Sequence, residues 1–281
     1  MLLSLAIGDA YGAGFEYARG DFIARHNDLK RYYQHPKHLG IKPGMYTDDT
    51  QMSLAVAEAL LKNPHPSALE WAEHFVSAFH RDRREGYAQR FYDFLLTVRD
   101  GSDFLARIKP HSDKSGAAMR TLPVGFLETP EAVLEVAAEQ ARLTHDTPDG
   151  IRSAQAAALS AHYLLRRLGP KAELEQYLEK RIGGPWCNWR GSVGSAGMDS
   201  VRAALTSFAR HQSMRAMLHE CIAWTGDVDT VAALALGLAA CCADVEQDLP
   251  QVLLDTLENG AFGSDYVKQL DRRLRERFLG G

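Results

Sequence analysis

The sequence predicts an all-α protein, a helical bundle, and three observations carry that expectation. Apolar residues recur at helical spacing along most of the 281 residues. Most of these runs are bounded by Ser, Thr, Asp, Pro or Gly where helices begin and end. No run of β-branched residues alternates with period two, so no strand is expected. With 46% hydrophobic and 24% charged residues, the chain can bury a sizeable core.

In chain order, residues 2–13 are densely apolar and end in small residues, which reads as a helix running into a flexible turn around Gly8 to Gly14. Residues 15–44 are rich in Arg, His, Asn, Pro and Gly. They predict a long surface loop with one short helix at 20–26, of a length that suits a lid or a binding loop. Helices are then expected at 52–61, 67–79, 87–100, 115–127, 131–143 and 150–168. Further ones are expected at 171–180, 198–209, 214–223, 231–243, 250–258 and 265–278. Gly-rich residues 183–197 interrupt the helical part, and candidate chemistry lies on both sides of them. Residues 1–281 are therefore read as a single domain.

Composition narrows the function classes. A net charge of −4 gives no basis for a nucleic-acid or anionic-membrane binder. Basic runs such as Arg81-Asp82-Arg83-Arg84 read as solvated helix faces. Cys187, Cys221, Cys241 and Cys242 show neither metal-ligand spacing nor a disulfide framework, so a reducing cytoplasm is the expected compartment. The opening MLLSLAIG lacks a basic leader and is too short to span a membrane.

Two acidic stretches carry the chemistry: Thr47-Asp48-Asp49-Thr50 and Gly226-Asp227-Val228-Asp229-Thr230. Each runs straight into an apolar, alanine-rich helix, and a helix N-terminus favours carboxylates. The second helix is apolar all round and is expected to be buried. Buried carboxylates are very costly unless cations accompany them. If the stretches meet, four Asp and up to three Thr oxygens form an oxygen-only cage suited to Mg²⁺ or Mn²⁺ rather than zinc. Neither stretch has the Gly and Glu spacing of an EF-hand.

Gly8-Asp9-Ala10-Tyr11-Gly12, Glu16, Thr47-Asp48-Asp49-Thr50, Ser115-Gly116-Ala117-Ala118-Met119-Arg120, Leu143-Thr144-His145 and Gly226-Asp227-Val228-Asp229-Thr230 occur in that order. The set resembles the ADP-ribosylglycohydrolases. That resemblance implies an all-α fold and a centre of two Mg²⁺ or Mn²⁺ ions. Thr47, Asp48 and Asp49 would hold one ion, and Asp227, Asp229 and Thr230 the other, with Asp229 bridging. It implies hydrolysis of the C1″ glycosidic bond of an ADP-ribosylated protein side chain, arginine favoured, with release of ADP-ribose. Glu16, Asp48 and Asp227 are the candidates for proton transfer. Ser115, Gly116, Ala117, Met119, His145, Gly194, Ser195 and Gly197 are the candidates for substrate binding, with backbone N–H groups offered to the diphosphate. A monomer is expected. The chain departs from the family pattern at Lys114-Ser115 and at Ser195-Ala196-Gly197, which bears on the acceptor rather than on the proposed ligands. Two other readings stand beside this one: a non-catalytic ADP-ribose-binding or structural relative, and an HD-type all-α metal phosphohydrolase suggested by His145-Asp146.

Overall fold

A computed structural model describes residues 1–280, and among them the chain is helical, with strand pairing confined to isolated bridges. The first helix, α1 (Leu2–Ala13), is buried on nearly all sides, and α2 (Gly20–His26) follows it. The expected flexible turn is absent, because Gly8 and Gly12 lie within α1.

Residues 27–47 contain no helix up to the start of α3, but they are not a free lid. The backbone N–H of Leu29 donates to the Tyr11 hydroxyl at 2.9 Å, and the Tyr32 hydroxyl donates to the Leu253 carbonyl at 2.7 Å. Tyr33 joins an aromatic cluster with Phe15, Phe22 and His26. Each contact ties the segment to a different part of the core, so it is a fastened strap.

The helix α3 (Asp48–Lys62) begins at Thr47, and α4 (Ala68–Arg81) begins at a reciprocal Ser67–Glu70 cap. The expected helix at 87–100 is two shorter ones, α5 (Gln89–Thr97) and α6 (Gly101–Arg107). Asp100 divides them by accepting the Asp103 N–H at 2.8 Å, which starts a new helix. Likewise 115–127 is a single turn, α7 (Gly116–Met119), and then a 3₁₀ turn at Leu122–Phe126. Pro123 cannot donate within a continuing helix and disfavours α geometry in the residue before it.

Thr129 and Thr147 cap α8 (Pro130–Arg142) and α9 (Pro148–Leu165), each with proline in the first turn where no partner is needed. The remaining helices are α10 (Leu174–Ile182), α11 (Gly197–Arg210), α12 (Met214–Ala223), α13 (Val228–Ala239), α14 (Gln251–Asp255) and α15 (Ser264–Leu279). The helix expected at 231–243 starts earlier, so Asp229 and Thr230 sit inside its first turn.

All of α13 is buried, with α1, α11 and α12 packed around it. Its tightest neighbour is α1. A Cβ on Gly8 would overlap the Ala232 carbonyl, and one on Gly12 would overlap the Asp229 backbone. Only glycine permits that approach. Among the described residues no helix is long and apolar enough to cross a membrane.

Gly8→Ala and Gly12→Ala are each expected to destabilise the chain by about 1–3 kcal/mol despite alanine's better helix propensity. Gly20→Ala is the control, since nothing lies within 4 Å of its added Cβ. Urea unfolding of the three variants measures the difference.

Candidate active site

The first acidic stretch is held from α1. Asp9 is buried, and its carboxylate accepts the Thr47 N–H at 3.0 Å and the Thr47 hydroxyl at 2.8 Å. It also accepts the Thr50 N–H at 2.9 Å and the Thr50 hydroxyl at 2.6 Å. A carboxylate so fully satisfied fixes the start of α3 and with it Thr47, Asp48 and Asp49. On the opposite side Gly86, at φ +109°, passes so close that an added Cβ would lie 2.8 Å from Asp48 Oδ1. Arg84 anchors that segment by donating to the Tyr46 carbonyl at 3.0 Å and pairing with Asp82 and Glu258.

The second stretch is set by an irregular turn. Gly226 has φ +95°, and the Val193 carbonyl occupies the space a side chain would need. Val193 N donates to the Thr225 carbonyl at 2.9 Å, and Asp227 N donates to the Val193 carbonyl at 3.2 Å. Ser200 on α11 donates to Asp227 Oδ2 at 2.9 Å. Tyr17 N donates to the Gly226 carbonyl at 2.9 Å, which brings the neighbouring Glu16 over the turn.

The first turns of α3 and α13 come close enough for Asp229 to feel the charge of Asp49. Glu16, Asp227 and Asp229 each place a carboxylate oxygen within 4.8 Å of the others. Asp48 and Asp49 lie outside that group of three. Asp49 Oδ1 and Asp229 Oδ1 are buried and receive no hydrogen bond. Burial first, and carboxylate repulsion second, hold Asp48, Asp49 and Asp229 well above the usual carboxylate range. Asp227 is pushed up to about 6 by burial and by Glu16, against the hydroxyls of Ser200 and Ser115. Burial also raises Asp9, although its four Thr donors pull the other way.

Such an oxygen-only set, with two buried oxygens lacking any donor, fits a hard divalent cation and offers no soft ligand for zinc. A separate surface cleft of about 920 Å³, lined by Lys171, Phe208 and His211 among others, contains none of these carboxylates.

The candidate substrate residues border this cluster. Ser115 N donates to the Ser195 carbonyl at 3.0 Å, and Gly197 N to the Asp113 carbonyl at 2.9 Å, so segments 113–116 and 193–197 run together. An added Cβ at Gly194 would lie 2.9 Å from Asp199 Oδ2. Ala117 and Met119 are packed into the core, and the Met119 N–H and carbonyl are already taken by Ser115 and Ser53, so Met119 is not placed to bind a ligand as expected. As α7 is one turn long, it has little of the dipole expected of a longer helix.

His145 lies against Gly116, where an added Cβ would be 2.9 Å from the ring. Its Nδ1 is 2.6 Å from the Thr144 hydroxyl, which itself accepts from the buried Arg120 at 2.9 Å. The Thr144 hydroxyl thus links Arg120 to His145 Nδ1. Burial and the Arg120 charge drop the His145 pKa to about 3 and keep the ring neutral. Among these supporting groups, Asp9 falls within the Gly8 to Gly12 stretch. Ser200 and Gly86 carry no motif that would have marked them, and Arg84, expected on a solvated helix face, is instead buried and paired beyond the end of α4.

A family model described as ADP-ribosylglycohydrolase matches residues 1–280. The chain is 26% identical over 272 residues to the ADP-ribosyl-[dinitrogen reductase] glycohydrolase of Rhodospirillum rubrum, covering 91% of this chain and 88% of that protein. It is 23% identical to an ADP-ribosylhydrolase of Xenopus tropicalis, covering 88% and 87%. A solved structure titled ADP-ribosylglycohydrolase-related protein complex superposes with a TM-score of 0.68 at 23% identity, covering 97% of this chain and 93% of that one. The last is a likeness of fold.

The raised carboxylates predict an unusual pH dependence. Their folded state holds protons more tightly than the unfolded chain does. The resulting stability is therefore fully present below about pH 4 and is lost as pH rises through about 6 for Asp227, and higher for its neighbours. Under chelation the melting temperature is expected to fall by several degrees between about pH 5 and about pH 8. Added Mn²⁺ is expected to abolish most of that fall, as differential scanning fluorimetry would show.

Proposed function

This chain belongs to the ADP-ribosylglycohydrolase family, and on that footing we propose that it is a metal-dependent hydrolase of ADP-ribosylated protein side chains. It would cleave the C1″ glycosidic bond and release ADP-ribose. The observation that carries the reading is the pair Asp49 and Asp229, on different helices, each with a buried oxygen that no donor reaches.

In this reading Thr47, Asp48 and Asp49 hold one Mg²⁺ or Mn²⁺ ion and Asp227, Asp229 and Thr230 a second. Asp229, which feels both Asp49 and Asp227, is shared between the two sets. Bound there, the cations supply positive charge that orients ribose hydroxyls and lowers the pKa of water. Glu16, Asp48 and Asp227 are the carboxylates that move protons. Positive charge developing at the anomeric carbon is matched by the acidic surroundings.

The same negative field favours a cationic acceptor, which is why arginine comes first. Neutral His145, the Ser115 and Ser195 hydroxyls and the Gly116 and Gly194 backbone are the groups left to meet the ADP-ribose, while the N–H groups of Ser115 and Gly197 are already spent on the Ser195 and Asp113 carbonyls. The HD-type alternative finds little support, since the carboxylate cluster includes no histidine and Thr144 occupies His145 Nδ1. We also read the chain as a single-domain cytoplasmic monomer.

The deciding experiment measures ADP-ribose released from arginine-, serine- and nucleic-acid-linked ADP-ribose, with Mg²⁺ or Mn²⁺ and then with chelator. Release from the arginine conjugate is expected to dominate and to stop on chelation. Asp49→Asn and Asp229→Asn are each expected to lower it about 100-fold or more and to weaken Mn²⁺ binding. Full activity in either variant would sink the metal reading. Tight ADP-ribose binding without turnover would instead mark a binding protein.

A further inference from the structure

We propose that His35 is a positioning residue for Glu16, presenting it with an imidazole whose proton is fixed on Nε2. The inference rests on the reading of Glu16 as a working carboxylate.

His35 lies on the strap at residues 27–47, yet only 1% of it is exposed. Its Nδ1 accepts the backbone N–H groups of Lys37 and His38, both at 3.1 Å. A nitrogen that accepts two N–H groups carries no proton, so the ring proton is on Nε2. That atom lies 2.8 Å from Glu16 Oε2 and has no other partner among the described residues. The N–H direction is not aligned with the Glu16 oxygen, so the two groups are in close contact without a formed hydrogen bond.

Glu16 needs such a partner. Asp227 and Asp229 face it, and like charge at this distance pushes a half-buried side chain toward solvent. A cationic partner would hold Glu16 but also weaken it as a base. A neutral N–H donor holds it without placing a positive charge beside it. The strap contacts through Tyr32 and Tyr33 fix the backbone from which His35 reaches inward.

The two nitrogens have separable jobs, which makes the proposal testable. His35→Asn keeps an acceptor in the place of Nδ1, toward the strap backbone, and loses the donor to Glu16. His35→Gln places an amide donor where Nε2 was. For release of ADP-ribose from ADP-ribosyl-arginine, His35→Asn is expected to lower kcat roughly tenfold with KM within about twofold. His35→Gln is expected to recover most of the loss. In a Glu16→Gln background His35→Asn is expected to add nothing further.

An unchanged kcat in His35→Asn overturns the proposal, as does an equal loss in both backgrounds or a lack of rescue by glutamine. A ¹⁵N spectrum of the histidines gives a readout that does not depend on turnover. The expected result is an Nε2-protonated His35 whose Nε2 resonance moves in Glu16→Gln. A resonance that stays put overturns the pairing even if the wild-type chain releases no ADP-ribose, an outcome that would count separately against the hydrolase.

Discussion

The close approach of α1 to α13 is the constraint on which the site depends. Gly8 and Gly12 leave their side-chain space to the backbone at Ala232 and Asp229. Asp9, next to Gly8, then reaches across to the first turn of α3 and fixes it through both Thr47 and Thr50. Asp229 is itself one of the residues on which Gly12 rests. One helix contact therefore sets both acidic stretches, and does so in an interior where water screens little charge.

The carboxylates divide according to what they receive. Asp9 collects donors from two threonines and serves as a brace. Asp49 and Asp229 lie within the same few turns, yet each keeps a bare oxygen. Burial raises all three, so a shifted pKa alone does not separate brace from ligand. The count of donors does. Arg120 poses the complementary case: a buried guanidinium satisfied by Gln140 and Thr144, with the Phe75 ring beneath it at 4.4 Å. Burial first, and the Arg120 charge second, hold the His145 ring neutral.

The acidic stretches were legible because paired aspartates before an alanine-rich apolar run have few structural uses. The burial of α13 followed from its composition alone. Helix limits were harder. Asp100 and Pro123 each outweighed a continuous apolar pattern through one local hydrogen bond or one missing donor. The strap was not legible as an anchored element, because Leu29, Tyr32 and Tyr33 show no periodicity and find their partners only in three dimensions. His35 and Ser200 were missed for the same reason. A lone histidine or serine carries no pattern until its neighbours are known.

The glycine-spaced contact has a further consequence, for ionic radius. The oxygens of Asp49 and Asp229 are placed by helix packing and by Asp9, not by whatever they bind, so the cage cannot readily expand or contract around a guest. Packed interiors resist such changes of volume. Ions that prefer oxygens at about 2.0–2.1 Å and ions that prefer about 2.3–2.6 Å then meet the same fixed spacing. On the proposed reading, any cation held there would have to fit a spacing set by two residues that have no side chains.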